Sequence, residues 1–188
     1  WARNAVVYQI FPDRFRNGNT RNDPKTGDPR YDEPVVKKSW SSLPEGYCSH
    51  YDTGCAEGPR GRDYFGGDIA GVADKLGYLQ SLGVNTIYFN PIFATRSNHG
   101  YDTTDYKKVD PRFGTLATLK SVTARAHLHG WHVILDGVFN HTGVDFEPFK
   151  SVQRDGRNSP YRNWYFLHGY PVGVKDGKPN YEGWNGSP

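Results

Sequence analysis

The sequence predicts an α/β fold in which parallel strands alternate with helices. Three short apolar runs, 5–11, 85–91 and 131–139, have the length and the β-branched and aromatic content of buried strands. Between them lie two stretches whose apolar residues recur at helical spacing. The order strand, helix, strand, helix, strand implies parallel βαβ units. Runs apolar on both faces fit either a barrel or a doubly wound sheet, because both cover the sheet with helices.

The first strand is AVVYQIF (5–11). From Pro12 to Gly67 the composition turns to Asn, Asp, Gly, Pro and charge, which predicts one very long loop, a feature usually functional or disordered in a compact domain. In DIAGVADKLGYLQSLGV (68–84), Ile69, Val72, Leu76, Leu79 and Leu82 mark one helix, closed by Gly83 in the C′ position. NTIYFNP (85–91) is the second strand, stopped by Pro91. A loop to Phe113 leads to the second helix, with Thr115 as N-cap, a stripe of Leu116, Leu119, Val122 and Ala126, and Gly130 at its end. WHVILDGVF (131–139) is the third strand. After His141 the pattern dissolves into Tyr, Trp, Gly, Pro and charge, and residues 142–188 are expected to form the incomplete beginning of an inserted lobe.

A chain of 188 residues suffices for one sizeable core, or a core with a small lobe. No stretch approaches the roughly 20 apolar residues that cross a bilayer, and no signal peptide is recognisable. The absence of methionine suggests an excised piece or a mature product. The net charge of +3 is small and its bases are scattered, with Lys37-Lys38 and Lys107-Lys108 read as solvated doublets. Nucleic-acid binding needs a clustered basic footprint and is not expected. Cys48 and Cys55 lack the further ligands of a zinc site. They are read as a local disulfide, which points to an oxidising, extracellular setting, with two reduced thiols in a cytosolic loop as the alternative.

The third strand poses the functional question. VILDGVFNH (133–141) begins as an apolar run and ends in Asp136, Asn140 and His141. In parallel α/β proteins chemistry gathers at the carboxyl ends of the strands. His141, at the very end, is expected to contact substrate. Asp136 reads equally as a site residue or as an acceptor of hydrogen bonds inside the fold.

Five segments then carry a resemblance. DGVFNH resembles a short signature of the α-amylase family of glycoside hydrolases, GVNTIYFNP its second barrel strand and NHGYDTTDY the loop that follows. YQIFPDRF resembles the first strand, and FGGDIAGVADKLGYLQSLG the first helix with its entry. All five occur in family order, closest to the neopullulanase, cyclomaltodextrinase and amylopullulanase branch. The resemblance implies the first strands and helices (1–141) of a TIM (β/α)8 barrel, with a lobe inserted after the third strand. It further implies that His141 hydrogen-bonds the sugar whose bond is cut and that Tyr101 stacks on that sugar. An aromatic ring covers the apolar C–H face of a pyranose, and imidazole donates to or accepts from its hydroxyls. Asp102 is placed in the same cleft.

FRNGNTRND concentrates Asn17, Asn19, Asn22 and Asp23. By spacing alone this is an Asx-rich turn, and it is no EF-hand. The resemblance makes it a calcium loop of the neopullulanase branch, completed by the Gly66 carbonyl and Asp68, since Ca²⁺ takes six to eight oxygen ligands. Asn140 matches a residue that helps hold another calcium in many α-amylases, and no such role is assigned here. The sequons at Asn140 and Asn185 are read as coincidence.

Hydrolysis of a glycosidic bond needs two carboxylates. The resembled family carries them at the ends of the fourth and fifth strands, with a further Asp after the seventh, and no GxRxD occurs in this chain. The expected protein is therefore the N-terminal part of a retaining hydrolase of α-1,4 glucans (starch, with pullulan or cyclodextrins as further candidates), inactive by itself. Two rivals are a transglycosylase of the same family and a calcium-stabilised carbohydrate-binding module without catalysis. Open sheet edges would favour self-association of such a piece.

Overall fold

The computed structural model describes residues 1–29, 34–44 and 61–184. Cys48, Cys55 and the Asn185 sequon lie outside the described residues. Strand β1 (Val7–Ile10) is followed by a one-turn helix α1 (Pro12–Phe15), the two-residue strands β2 (Val36–Lys37) and β3 (Asp63–Tyr64), and helices α2 (Ile69–Asp74) and α3 (Leu76–Ser81). Next come β4 (Thr86–Phe89), β5 (Phe93–Thr95), β6 (Thr103–Val109), α4 (Leu116–Leu128) and β7 (His132–Leu135). Helix α5 (Glu147–Asp155) and the hairpin β8 (Val174–Lys175) and β9 (Lys178–Pro179) follow.

The central sheet has the order β1-β4-β7, all parallel. Its register aligns Tyr8 with Ile87 and Val133, and Ile10 with Phe89 and Leu135. Ile10, Ile87 and Phe89 are fully buried against Ile69, Val72 and Leu79 from the first helical segment and Val122 and Ala126 from α4. Both crossovers thus cover one face of the sheet, and each strand adds next to its predecessor. A doubly wound sheet places helices on both faces; the arrangement here is that of a barrel segment. Side chains alternate across a strand, so the other face presents Gln9, Tyr88 and Ile134 in one row and then Asn90 and Asp136. Gln9 donates from Nε2 to Asn90 Oδ1 at 2.8 Å, joining two strands on that face.

Local signals explain the helix ends. Thr115 Oγ1 accepts from the Thr118 amide in a reciprocal capping box, and Gly83 and Gly130 take positive φ just beyond their helices. Four expectations are corrected. The helix over 68–83 is broken at Lys75, whose N–H turns to the Val72 carbonyl and ends α2 in a tight turn. Leu82 and Leu116 stay 49% and 55% exposed, so the buried stripes are narrower than their spacing suggested. The Pro12–Gly67 stretch is not one loop, since α1, β2 and the buried β3 interrupt it. Lys37 and Lys38 are not a solvated doublet either, because they pair with Asp23 at 2.9 Å and Asp63 at 3.5 Å. Lys107 and Lys108 are exposed, as expected.

The tail builds a small core of its own. Phe149 and Val152 of α5 pack with Val172 and Tyr181, flanked by Tyr161, Tyr165, Leu167 and Tyr170. Asp145 ties this lobe to the barrel loop, bound by Arg96 at 2.5 Å and Lys150 at 3.0 Å. The Gly143 amide donates to the Thr103 carbonyl at 2.8 Å beside it.

Candidate functional site

Two polar clusters stand at the carboxyl ends of the strands. The first grows from β7. Its ladder extends one residue further, with the Asp136 amide donating to the Phe89 carbonyl at 3.1 Å. Beyond it the chain turns, held by Tyr106 on β6, whose hydroxyl donates to the carbonyls of Val138 and, at 3.0 Å, of His141. That turn delivers Asp136, Asn140 and His141 to one end of the sheet.

The Tyr101 hydroxyl donates to Asp136 Oδ2 at 2.9 Å. Burial, and then the bond to Asp136, push the Tyr101 hydroxyl up to about 12. Tyr88 leans on the same carboxylate and is raised as well, first by burial and then by that contact. Asp136 therefore accepts the Tyr101 hydroxyl with Tyr88 beside it, which is the internal-acceptor reading of the two the sequence left open. His141 Nε2 lies 2.9 Å from the Tyr101 carbonyl, and its Nδ1 lies 3.2 Å from Asn140 Nδ2. A carbonyl only accepts, so Nε2 carries the proton, and Nδ1 accepts from the amide. His99 packs 5.9 Å from the Tyr101 ring and accepts the Tyr101 amide at 3.1 Å through Nδ1. Asp102 is placed differently from its expected position in the cleft. It is 6% exposed and takes hydrogen bonds from Thr95 Oγ1 (2.6 Å) and the Ser97 hydroxyl, which brace the loop.

A cleft of about 560 Å³ opens between the end of β7 and the lobe, walled by Tyr106, Phe139, His141, Trp164, Phe166 and Trp184 among others. Tyr101 is not among its walls; His141 belongs both to the cleft and to the Tyr101–Asp136 cluster. Exposed aromatic rings beside a polar handle suit a ligand with alternating apolar and hydroxylated faces.

The second cluster is the Asn/Asp loop, and its six candidate ligands divide. Asn17 Nδ2 donates to Asp23 Oδ1 at 2.7 Å, while Asn17 Oδ1 is buried without a hydrogen-bond donor. Asn22 Nδ2 donates to the Arg112 carbonyl at 2.8 Å, and its Oδ1 is likewise buried and unsatisfied. Gly66, at φ +82°, faces this group so closely that a Cβ would collide with Lys37 Nζ and meet Asp23 Oδ1. Asn19 and Asp68 are committed elsewhere. Asn19 Oδ1 accepts the Arg21 amide at 3.2 Å. Asp68, fully buried, accepts from the amides of Gly18 (3.1 Å), Asn19 (2.8 Å) and Gly71 (2.6 Å), capping α2 and tying the loop to it. The unsatisfied oxygen of Asn17 beside the Asp23 carboxylate, with a second on the preceding residue Asn22, suits a hard cation.

The sequence pattern of the alpha amylase catalytic domain matches residues 9–187. The chain belongs to that family. This α-amylase-family chain is 41% identical over 182 residues to a cyclomaltodextrinase of Bacillus sp, covering 97% of itself and 28% of the relative. It is 43% identical to an amylopullulanase of Thermoanaerobacter thermohydrosulfuricus, covering 99% of itself and 13% of that protein. Among solved structures, the type III pullulan hydrolase from Thermococcus kodakarensis superposes with a TM-score of 0.78 at 41% identity, over 98% of this chain and 31% of that one. The cyclic alpha-maltosyl-(1→6)-maltose hydrolase from Arthrobacter globiformis gives 0.78 at 34%, over 99% and 36%. The chain therefore spans about a quarter to a third of most of these relatives. Its βαβαβ unit is part of a TIM barrel.

Four residues that shape the clusters received no role from the sequence: Tyr88, His99 and Tyr106 lie inside the quoted motifs, and Lys37 lies outside them. Tyr88 was accessible from strand alternation, since it shares a face with Asn90 and Asp136. Lys37 reaches Asp23 across 14 residues of sequence, and no local pattern announces that.

Proposed function

We propose that this chain supplies sugar-gripping residues of a retaining α-glucan hydrolase acting on α-1,4-linked glucans such as starch, pullulan or cyclodextrins. The observation that carries the reading is the joined cluster Tyr101–Asp136–His141 at the strand ends, opening on an aromatic cleft. Tyr101 stacks on a glucose ring while Asp136 fixes its hydroxyl, and His141 exchanges its Asn140 contact for a sugar hydroxyl. Relatives named for cyclodextrin and pullulan substrates support the substrate class.

Catalysis requires an acid and a nucleophile placed about 5–5.5 Å apart. The acids Asp102, Asp105 and Asp145 are each engaged locally: Asp102 with Thr95 and Ser97, Asp105 with the Lys107 amide at 2.8 Å, Asp145 with Arg96 and Lys150. The 188-residue chain is thus expected to bind maltooligosaccharides without hydrolysing them. Calorimetry with maltoheptaose should show binding that Tyr101→Ala and His141→Ala each weaken by about tenfold, the loss of ~1.4 kcal/mol. New reducing ends above a blank, lost with those same variants, would overturn the absence of a catalytic pair.

The second cluster fits calcium. Asn17, Asn22, Asp23 and the Gly66 carbonyl hold the ion, with Asn19 and Asp68 shaping the loop that presents them. Bound there, calcium supplies charge that fixes the loop against the start of α2. Chelation should then lower the melting temperature.

A further inference from the structure

The Asn17–Asp23 cluster already contains a cation. Lys37 Nζ donates to Asp23 Oδ2 at 2.9 Å and to the Phe65 carbonyl at 2.8 Å. It also stands against Gly66, where even a methyl group would not fit between them. The ammonium therefore touches three parts of the cage: the Asp23 carboxylate, the carbonyl preceding Gly66, and the Gly66 backbone itself. Side-chain exposure is 26% for Lys37 and 20% for Asp23, so the pair is sheltered from solvent. What the ammonium does not satisfy is equally informative. Asn17 Oδ1 and Asn22 Oδ1 remain buried without a donor. An ammonium has three protons to donate, whereas a divalent ion collects six to eight oxygens. The cage offers more oxygen than the lysine uses.

We propose that Lys37 is an internal cation that competes with calcium for the Asp23 cage and sets the affinity of that site. The inference rests on the calcium reading above. Lysine is held by its own chain, so the cage reaches electrostatic balance at Asp23 without any metal. Calcium gains the two orphaned amide oxygens but must displace the ammonium from Asp23 and from the Phe65 carbonyl. An apparent dissociation constant rises in inverse proportion to the fraction of molecules whose site is open. A lysine that fills the cage nine-tenths of the time raises it about tenfold.

The experiment compares the protein with Lys37→Met and Lys37→Arg, using calcium chloride against chelator. Calcium affinity is measured by calorimetry and melting temperature by calorimetric scanning. Lys37→Met is expected to bind calcium at least about tenfold more tightly than the unmodified protein. Its melting temperature should fall in chelator, where Asp23 has lost its counter-ion, and recover in calcium. Lys37→Arg keeps the charge and should retain weak calcium binding, which also keeps the test informative where Lys37→Met folds poorly. Equal calcium affinity in all three proteins would overturn the competition and leave the calcium site standing. Failure of all three to bind calcium would overturn the site itself, and the competition with it.

Discussion

The two polar clusters follow β1 and β7, the outer strands of the three-stranded sheet, and share a composition of acids and amides, yet they are finished differently. At the end of β7, Asp136 is met only by side-chain hydroxyls from other elements, and His141 spends one ring nitrogen on a neighbouring amide that a ligand can replace. In the Asn/Asp loop, Asp68 is consumed by three backbone amides and Asp23 by a lysine. Backbone partners are obligatory, since a buried N–H has no alternative, whereas hydroxyl and amide partners are exchangeable. A carboxylate that closes backbone accounts is architecture. One that meets side chains is available for a ligand.

Removal of each carboxylate tests that difference. Asp68→Ala leaves three amides without acceptors and removes the cap of α2. The expected cost is about 2–4 kcal/mol: the buried Gly71 amide, whose bond is also the cap of α2, costs about 1–3, and the part-buried bonds to Gly18 and Asn19 about 0.5 each. Asp136→Ala forfeits bonds from tyrosine hydroxyls that water can reach, at about 1–2 kcal/mol. Urea midpoints at constant slope measure both. Equal costs would erase the distinction.

Tyr101→Phe probes the exchangeable side alone. It should cost about 1 kcal/mol at neutral pH, the worth of one hydrogen bond. Its sharper effect is on pH dependence. The folded hydroxyl titrates near 12, above the value of about 10 for an unfolded tyrosine. Between those values the unfolded chain has released this proton and the folded chain has kept it. Stability is therefore present below pH ~10 and is lost as pH rises toward 12. Tyr101→Phe should flatten that part of the alkaline limb, with the other raised tyrosines, Tyr88, Tyr106, Tyr165 and Tyr181, accounting for a residual slope. Tyrosinate absorbance should show one fewer late-titrating group. An unchanged limb would mean that Asp136 does not hold the hydroxyl.

The same contrast explains what the sequence disclosed. Strands at 5–11, 85–91 and 131–139, the Thr115 cap and the closing Gly83 and Gly130 were legible because each depends on residues close in sequence. So was the convergence of Tyr101 and His141, through motifs in known order. The break at Lys75, the short strands β2 and β3, and the antiparallel β5–β6 pair were not, because they form only against tertiary partners. Asp102 illustrates the limit: the family resemblance put it in the sugar cleft, whereas here it is buried and accepts hydrogen bonds from Thr95 and Ser97. Lys37 is the clearest case. A lysine doublet is commonly solvated, and only the fold brings its ammonium to Asp23.

The smallest effect divides the loop itself. Asn17, Asn19, Asn22 and Asp23 read alike in sequence, but Asn19 points its Oδ1 at the Arg21 amide as the N-cap of a 3-10 turn over Thr20–Asn22. Asn19→Ala should therefore cost only about 0.5–1 kcal/mol, as a lost cap on an exposed turn does. Placed in the Lys37→Met background, it should leave the calcium-induced rise in melting temperature intact. Asn17→Ala and Asp23→Ala in that background should each abolish most of it, because they remove a buried oxygen or the charge that opposes the ion. The three double variants differ by one side chain within seven residues of one loop. If Asn19→Ala removes the calcium response as fully as Asp23→Ala, its side chain leaves the Arg21 amide to join the ion, and the loop works as a single ligand set.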